Sequence, residues 1–155
     1  WSCENQGINN INRNFDGDES RGEILSWYID SSAILKLIFI EKETAELDKA
    51  MKNRMVTSAI TRVEVKRTVN RINPKMIFVA DDVLAQIESL TLEQKVLNFA
   101  EAFNEDVSLR TLDAIHVASA LLISGSIDGM ITYDKQMAKN ASRMGINVLS
   151  PGAKL

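Results

Sequence analysis

The chain has 155 residues, enough for one domain with its own core. Hydrophobic residues make up 45% and charged residues 25%, the balance of an ordinary globular protein rather than of a disordered or membrane-embedded one. The net charge of −3 argues at first against a polyanionic partner, and the apolar stretch 33–40, broken by Lys36, falls well short of the ~18 residues of a membrane span.

Residues 1–23 differ from the rest. They hold five asparagines, five acids and two bases, and Ile8, Ile11 and Phe15 at helical spacing are their main apolar feature. A flexible, solvated leader is expected there, followed by one domain over 24–155; a tail that docks on a partner is the sharper alternative. The lone Cys3 excludes an internal disulfide and fits a reducing cytoplasm, and no secretory signal is visible.

From residue 24 onward, strand and helix signals alternate. The run 24–29 reads as a strand ending at Asp30, with Ser31 or Ser32 able to cap a helix from about Ala33. A helical stretch covers 43–52 and a short strand 55–57. A helix then runs from Thr57 or Ser58 to Ile72, where Asn73-Pro74 ends it. Val79, Val83 and Ile87 mark an amphipathic helix over 76–89, with Asp81 and Asp82 read as residues of a helix start. An edge strand is expected over 90–92, helices over 93–103 and 111–124 (the second ended by Gly125), and a strand over 129–133. A helix over 135–143, stopped by Gly145, and a strand over 146–149 complete the chain. Such alternation predicts an α/β fold of three layers, a mostly parallel sheet of four to five strands with helices on both faces.

Four acids stand out against this frame. Asp30 and Asp134 each follow a predicted strand, at the carboxyl edge where open parallel sheets bind ligands. Glu64 borders the apolar stripe of its helix, next to Val63 and four residues after Ile60. Asp113 sits in the first turn of an almost wholly apolar helix, where the helix dipole favours an anion. Each acid alone has an ordinary alternative: a cap for Asp30 or Asp134, a first-turn stabiliser for Asp113, a pair with Arg67 or Thr68 for Glu64. Together, carboxylates aimed at one crevice repel one another, and divalent cations relieve that repulsion. With those four charges neutralised, residues 24–155 would carry +4, which suits a polyanion.

Other residues read more plainly. His116 is the sole histidine, and its apolar helix argues for a packed or hydrogen-bonded ring rather than a general base. Arg62, Lys66, Arg67 and Arg71 form a basic run that is either a solvated face or a phosphate track, which Arg110, Lys135, Lys139 and Arg143 could extend. Trp27 and Tyr28 are expected to pack around the first strand. Aromatic residues make up 6%, too few for extensive base stacking.

Four segments carry a family resemblance. Tyr28-Ile29-Asp30-Ser31-Ser32-Ala33, continuing through Leu37, resembles the opening motif of PIN domains, and Ser58-Ala59-Ile60-Thr61-Arg62-Val63-Glu64 their glutamate motif. Leu109-Arg110-Thr111-Leu112-Asp113-Ala114-Ile115-His116-Val117-Ala118 resembles the third acidic motif, and Met130-Ile131-Thr132-Tyr133-Asp134-Lys135 the fourth. In length and in the run 109–114 the chain looks most like the VapC toxins of toxin–antitoxin pairs. The resemblance implies an endoribonuclease using Mg²⁺ or Mn²⁺, held by a cognate antitoxin and assembled as a homodimer. It further implies Asp30 as a central metal ligand, Asp113 and Glu64 completing the shell, Asp134 acting directly or through water, and Ser32 and Thr132 supporting ligands or waters. A non-catalytic PIN-like scaffold binding RNA or protein is the alternative, although a scaffold needs none of the four acids. A receiver-type phosphohydrolase fits poorly, because no Asp-x-Asp follows the first strand.

Overall fold

The computed structural model describes residues 26–153, so the expectations for the leader 1–23 lie outside the described residues. Strand β1 (Ser26–Ile29) leads into helix α1 (Ser31–Phe39), followed by α2 (Thr44–Ala50), β2 (Arg54–Ser58) and α3 (Ala59–Ile72). A 3₁₀ turn at Pro74–Met76 precedes α4 (Ile77–Ala85), β3 (Glu88–Leu90), α5 (Gln94–Glu101) and α6 (Thr111–Leu122). The chain then runs through β4 (Gly129–Ile131), α7 (Lys135–Arg143) and β5 (Val148–Leu149). The five strands form one sheet in the order β3-β2-β1-β4-β5, and every pairing is parallel. Among the described residues no helix is long and apolar enough to cross a membrane.

Alternation along the strands explains the layers. On β1, Trp27 and Ile29 face one side and join a core built with α1 to α4, through Ile34, Ile38, Leu47, Val65 and Val69. Tyr28 faces the other side and joins Val117, Ala120, Met130 and Met137 beneath α6 and α7. Both sheet faces are covered, which is why the central strands β1 and β4 are apolar nearly throughout. Each fully buried Ile or Val contributes about 1.5–3 kcal/mol. Helix α6 has apolar surface on two sides: Val117 and Ala120 meet the sheet, while Ile115 and Ala118 meet α5.

Two glycines are required by geometry. A Cβ at Gly129 would lie 2.2 Å from the Asn147 carbonyl oxygen and 2.7 Å from the Trp27 ring, so β4 reaches its place only without a side chain there. Gly145, at φ +88°, ends α7 in the left-handed conformation. The amides of Gly145 and Ile146 then bond back to the carbonyls of Ser142 and Ala141, and Ile146 is buried behind the turn.

Several boundaries differ from expectation. The apolar spacing through Ile87 predicts a helix to 89. The helix instead ends at Ala85, and the amides of Gln86 and Ile87 fold back onto Val83 and Leu84. The open edge of β2 captures Glu88 to Leu90 as a strand, two residues earlier than the predicted 90–92. Asp81 and Asp82 accordingly lie inside α4 rather than at a helix start. Helix α6 stops at Leu122, and Gly125 belongs to a following 3₁₀ turn instead of capping it. Strand β4 ends at Ile131, so Asp134 follows a two-residue link.

The chain builds β1, β2 and β3 outward to one side, then crosses to β4 and β5 on the other. The reversal falls between β1 and β4, and the crevice outside their carboxyl ends is where such sheets bind ligands.

Candidate active site

Asp30 lies at that reversal. The first turn of α1 begins at Ser31, so the cap position falls to Asp30 rather than to Ser31 or Ser32, and its Oδ1 accepts from the Ala33 amide at 3.1 Å. Ser32 donates to the same carboxylate at 2.7 Å, and Thr132 donates to Oδ2 at 2.9 Å. The side chain is enclosed, with 1% of Asp30 exposed. Burial pushes its carboxyl above the usual range, outweighing the lowering by these donors.

Ser32 and Thr132 tie the β1–α1 junction to the β4–α7 junction. The Ser32 hydroxyl accepts from the Tyr133 amide at 2.9 Å, and the Thr132 hydroxyl accepts from the Asp134 amide at 3.1 Å. Each hydroxyl donates to Asp30 and accepts from the β4–α7 link, so the two junctions keep a fixed separation. Asp134 caps α7 by accepting from the Met137 amide at 2.8 Å.

Arg110 spans the mouth. Its Nε donates to Asp113 at 3.0 Å and its Nη2 to Asp134 at 3.1 Å, with 77% of the side chain exposed. A cation thus bridges the two outer carboxylates. Glu64 reaches the same pocket from α3, and its Oε2 lies 2.6 Å from His116 Nε2. The partner of Glu64 is therefore His116 and not Arg67 or Thr68, and the ring is hydrogen-bonded within the core, as its apolar helix suggests.

Asp30, Glu64, Asp113 and Asp134 line one pocket of about 510 Å³, together with Ser32 and Arg110. All the acidic donors are oxygen atoms, the set that hard cations such as Mg²⁺ prefer. Among the described residues, no three His, Cys, Asp or Glu side chains close around a single point as a finished metal cage. The four acids line an open rim instead, an arrangement compatible with a hydrated cation that keeps several waters and uses few carboxylates.

The basic run divides. Arg62 and Lys66 pair with Asp81 of α4 at 3.0 and 2.9 Å. These contacts hold the Asp81 carboxyl below its ordinary range, chiefly through the Lys66 hydrogen bond. Arg67 and Arg71 form no ion pair among the described residues and line a groove of about 800 Å³ with Thr68 and Asn70. Glu64 and Leu112 border both this groove and the acidic pocket, so the two adjoin. Arg143 is engaged by Asp106 at 2.8 Å. Sequence reasoning missed the split because Asp81, 15 residues from Lys66, meets it only once α4 packs on α3. It also missed the Arg110 bridge, although Arg110 stands three residues before Asp113, a spacing that allows a pair on one helical turn.

The PIN domain model matches residues 27–142, and the chain belongs to the PIN-domain family. Among its curated relatives is ribonuclease VapC35 of Mycobacterium tuberculosis, 33% identical over 132 residues that cover 81% of this chain and 96% of the relative. A toxin–antitoxin complex from Klebsiella pneumoniae contains a chain of the same fold, with a TM-score of 0.63 and 21% identity over 81% of this chain and 97% of that one. The sarcin-ricin-loop-cleaving toxin VapC20 of M. tuberculosis superposes with a TM-score of 0.62 and 13% identity, covering 80% of this chain and 98% of that one.

Proposed function

We propose that this chain is the toxin of a toxin–antitoxin pair, a divalent-metal-dependent endoribonuclease acting in the cytoplasm. The observation that carries this reading is the convergence of Asp30, Glu64, Asp113 and Asp134 on one pocket at the sheet reversal. A PIN family match and curated ribonuclease relatives support it. Asp30 is the central ligand for Mg²⁺ or Mn²⁺. Glu64 and Asp113 complete the set, and Asp134 holds the ion directly or through water. A bound ion supplies Lewis-acid activation of water and neutralises charge at the phosphate.

The protein's own residues do the rest. Ser32 and Thr132 fix Asp30 in one rotamer, so that no side chain has to be ordered when the substrate arrives. Arg110, which pairs with Asp113 and Asp134 at the mouth, would be available to a phosphate there were those carboxylates to hold a cation. Arg67 and Arg71 line the groove that continues from the pocket, and they hold the strand leading away from the cut. Arg62 and Lys66, engaged by Asp81, take a lesser part.

A cognate antitoxin that covers the pocket and a homodimeric assembly belong to the same reading. The toxin–antitoxin complex from K. pneumoniae supports the first partner by its shared fold.

The test is incubation of the protein with a mixed RNA pool. Cleavage is expected with Mg²⁺ or Mn²⁺, and none with EDTA or in Asp113→Asn. An Arg67→Ala/Arg71→Ala double variant should raise KM about 10-fold with little change in kcat, whereas Arg62→Ala/Lys66→Ala should alter KM by less than about 3-fold. RNA binding without cleavage in any metal would leave the non-catalytic scaffold.

A further inference from the structure

A chain of polar atoms runs from the core to the pocket. Tyr28 on β1 points toward α6, and its hydroxyl lies 2.8 Å from His116 Nδ1. The other ring nitrogen, Nε2, lies 2.6 Å from Glu64 Oε2 on α3. Neither Tyr28 nor His116 has exposed surface, and the two rings meet edge to face with centroids 6.0 Å apart. Each element thus contributes one member: a strand, a helix beneath the sheet, and the helix that borders the basic groove.

The proton positions follow from what each group can do. A carboxylate oxygen accepts, so the 2.6 Å contact is made by Nε2–H donating to Glu64 Oε2. Burial raises the Tyr28 phenol far above its ordinary range, so it keeps a proton that it can donate to Nδ1, 2.8 Å away. Both buried ring nitrogens thus have a partner, and the Tyr28 donor favours the tautomer that carries its hydrogen on Nε2.

Glu64 needs such a partner. Its side chain sits at the pocket border with 19% of its surface exposed, and a free glutamate there samples several rotamers. An ordinary packed histidine would find its partners within the core. Here one of the two bonds ends on the acid that borders both the pocket and the groove.

We propose that His116, oriented by Tyr28, is the positioning residue for Glu64: its Nε2–H holds one carboxylate oxygen and leaves the other for a ligand in the pocket. The consequence for metal rests on the functional reading above; the tautomer and the contact do not.

His116 is the chain's single histidine, so its ring nitrogens give one pair of NMR signals in the full-length protein. Expected is a protonated Nε2, slow to exchange, and a bare Nδ1, with the Nε2 signal moving in Glu64→Ala. The opposite tautomer, or an Nε2 signal indifferent to Glu64→Ala, overturns the proposal. The second measurement is the Mn²⁺ dissociation constant by calorimetry. His116→Leu should weaken binding about 10-fold or more, the scale on which partners of metal ligands act. His116→Gln, whose amide can donate where Nε2 did, should recover most of it. Tyr28→Phe should lose about 3-fold by freeing the ring. Unchanged Mn²⁺ affinity in folded His116→Leu overturns the proposal; if that variant does not fold, unchanged affinity in Tyr28→Phe together with no recovery in His116→Gln does so. Absence of Mn²⁺ binding by the wild type instead removes the metal reading of the pocket, and the ring spectra then decide the proposal alone.

Discussion

At the β1–α1 junction, Asp30 caps its helix from an enclosed position, surrounded by the Ala33 amide and the hydroxyls of Ser32 and Thr132. At the β4–α7 junction, Asp134 caps its helix from the rim, with an exposed arginine as its other partner. The local device is the same in both: a buried parallel strand, an aspartate in extended conformation, and a helix whose free amides it receives. What differs is position in the sheet. β1 is central and flanked on both sides, whereas β4 has only the two-residue β5 beyond it. Burial therefore turns the inner capping aspartate into a strained charge, whereas the outer one keeps part of its surface exposed.

Removing each charge in turn gives the largest contrast. In the nuclease reading, Asp30→Asn should lower the RNA-cleavage rate by about 100-fold or more, the scale of losing one strong transition-state stabiliser. Asp134→Asn should cost only about 10-fold, because an amide still caps α7 and a water can replace the outer ligand. Single-turnover rates at saturating Mn²⁺ measure both. Equal losses would break the distinction between the junctions.

A smaller effect concerns the hydroxyls that join them. Thr132→Val removes a donor from a buried carboxylate and an acceptor from the Asp134 amide. Leaving such groups unpaired costs about 2 kcal/mol. In a domain of this size that lowers the melting temperature by roughly 4–8 °C. Val148→Thr, on the edge strand away from the pocket, is the control. A melting temperature unchanged by Thr132→Val would mean that water satisfies both groups and that the two junctions are not coupled through this side chain.

The sheet and the placement of Asp30 and Asp134 at its carboxyl edge were legible because both are written in local order. Apolar runs end at an aspartate, and helices begin beside it, so position at the carboxyl edge follows from sequence alone. Residues whose role depends on how helices cross were not legible. Glu64 and His116 are separated by 52 residues, and Arg62 and Asp81 by 19; nothing local marks either pair. Strand β3 escaped its exact place because Glu88 and Ser89 are exposed, and the open edge of β2 rather than hydrophobicity decides where it forms. The cap reads first at Ser31 or Ser32, with Asp30 only the alternative, for a related reason. Three consecutive residues, Asp30, Ser31 and Ser32, can all cap, and Ser32 is drawn instead to the Asp30 carboxylate and the Tyr133 amide.

The smallest effect tests the cause of the difference directly. Burial raises the folded-state carboxyl of Asp30 above its unfolded value of about 3.9. A carboxyl raised in this way contributes stability that is fully present below the unfolded value and is lost as pH rises through the folded one. At neutral pH without metal, the ionised Asp30 thus weakens the fold. Asparagine removes the charge and keeps the shape. Its oxygen still accepts from the Ala33 amide, and the Ser32 and Thr132 hydroxyls can rotate so that one accepts from the new amide nitrogen. Metal-free Asp30→Asn should therefore melt about 2–5 °C above wild type at pH 7, and the gap should close as pH falls toward 4. In the nuclease reading Mn²⁺ should reverse the order, since a ligand that binds only the folded state adds about 2.7 kcal/mol at 100 times its dissociation constant, and the variant lacks the proposed central ligand. Calorimetric scans across that pH range, with and without Mn²⁺, measure both halves. A wild type that melts above Asp30→Asn at pH 7 without metal would show that the charged acceptor gains more from its three donors than burial costs it, and the two junctions would then differ in geometry alone.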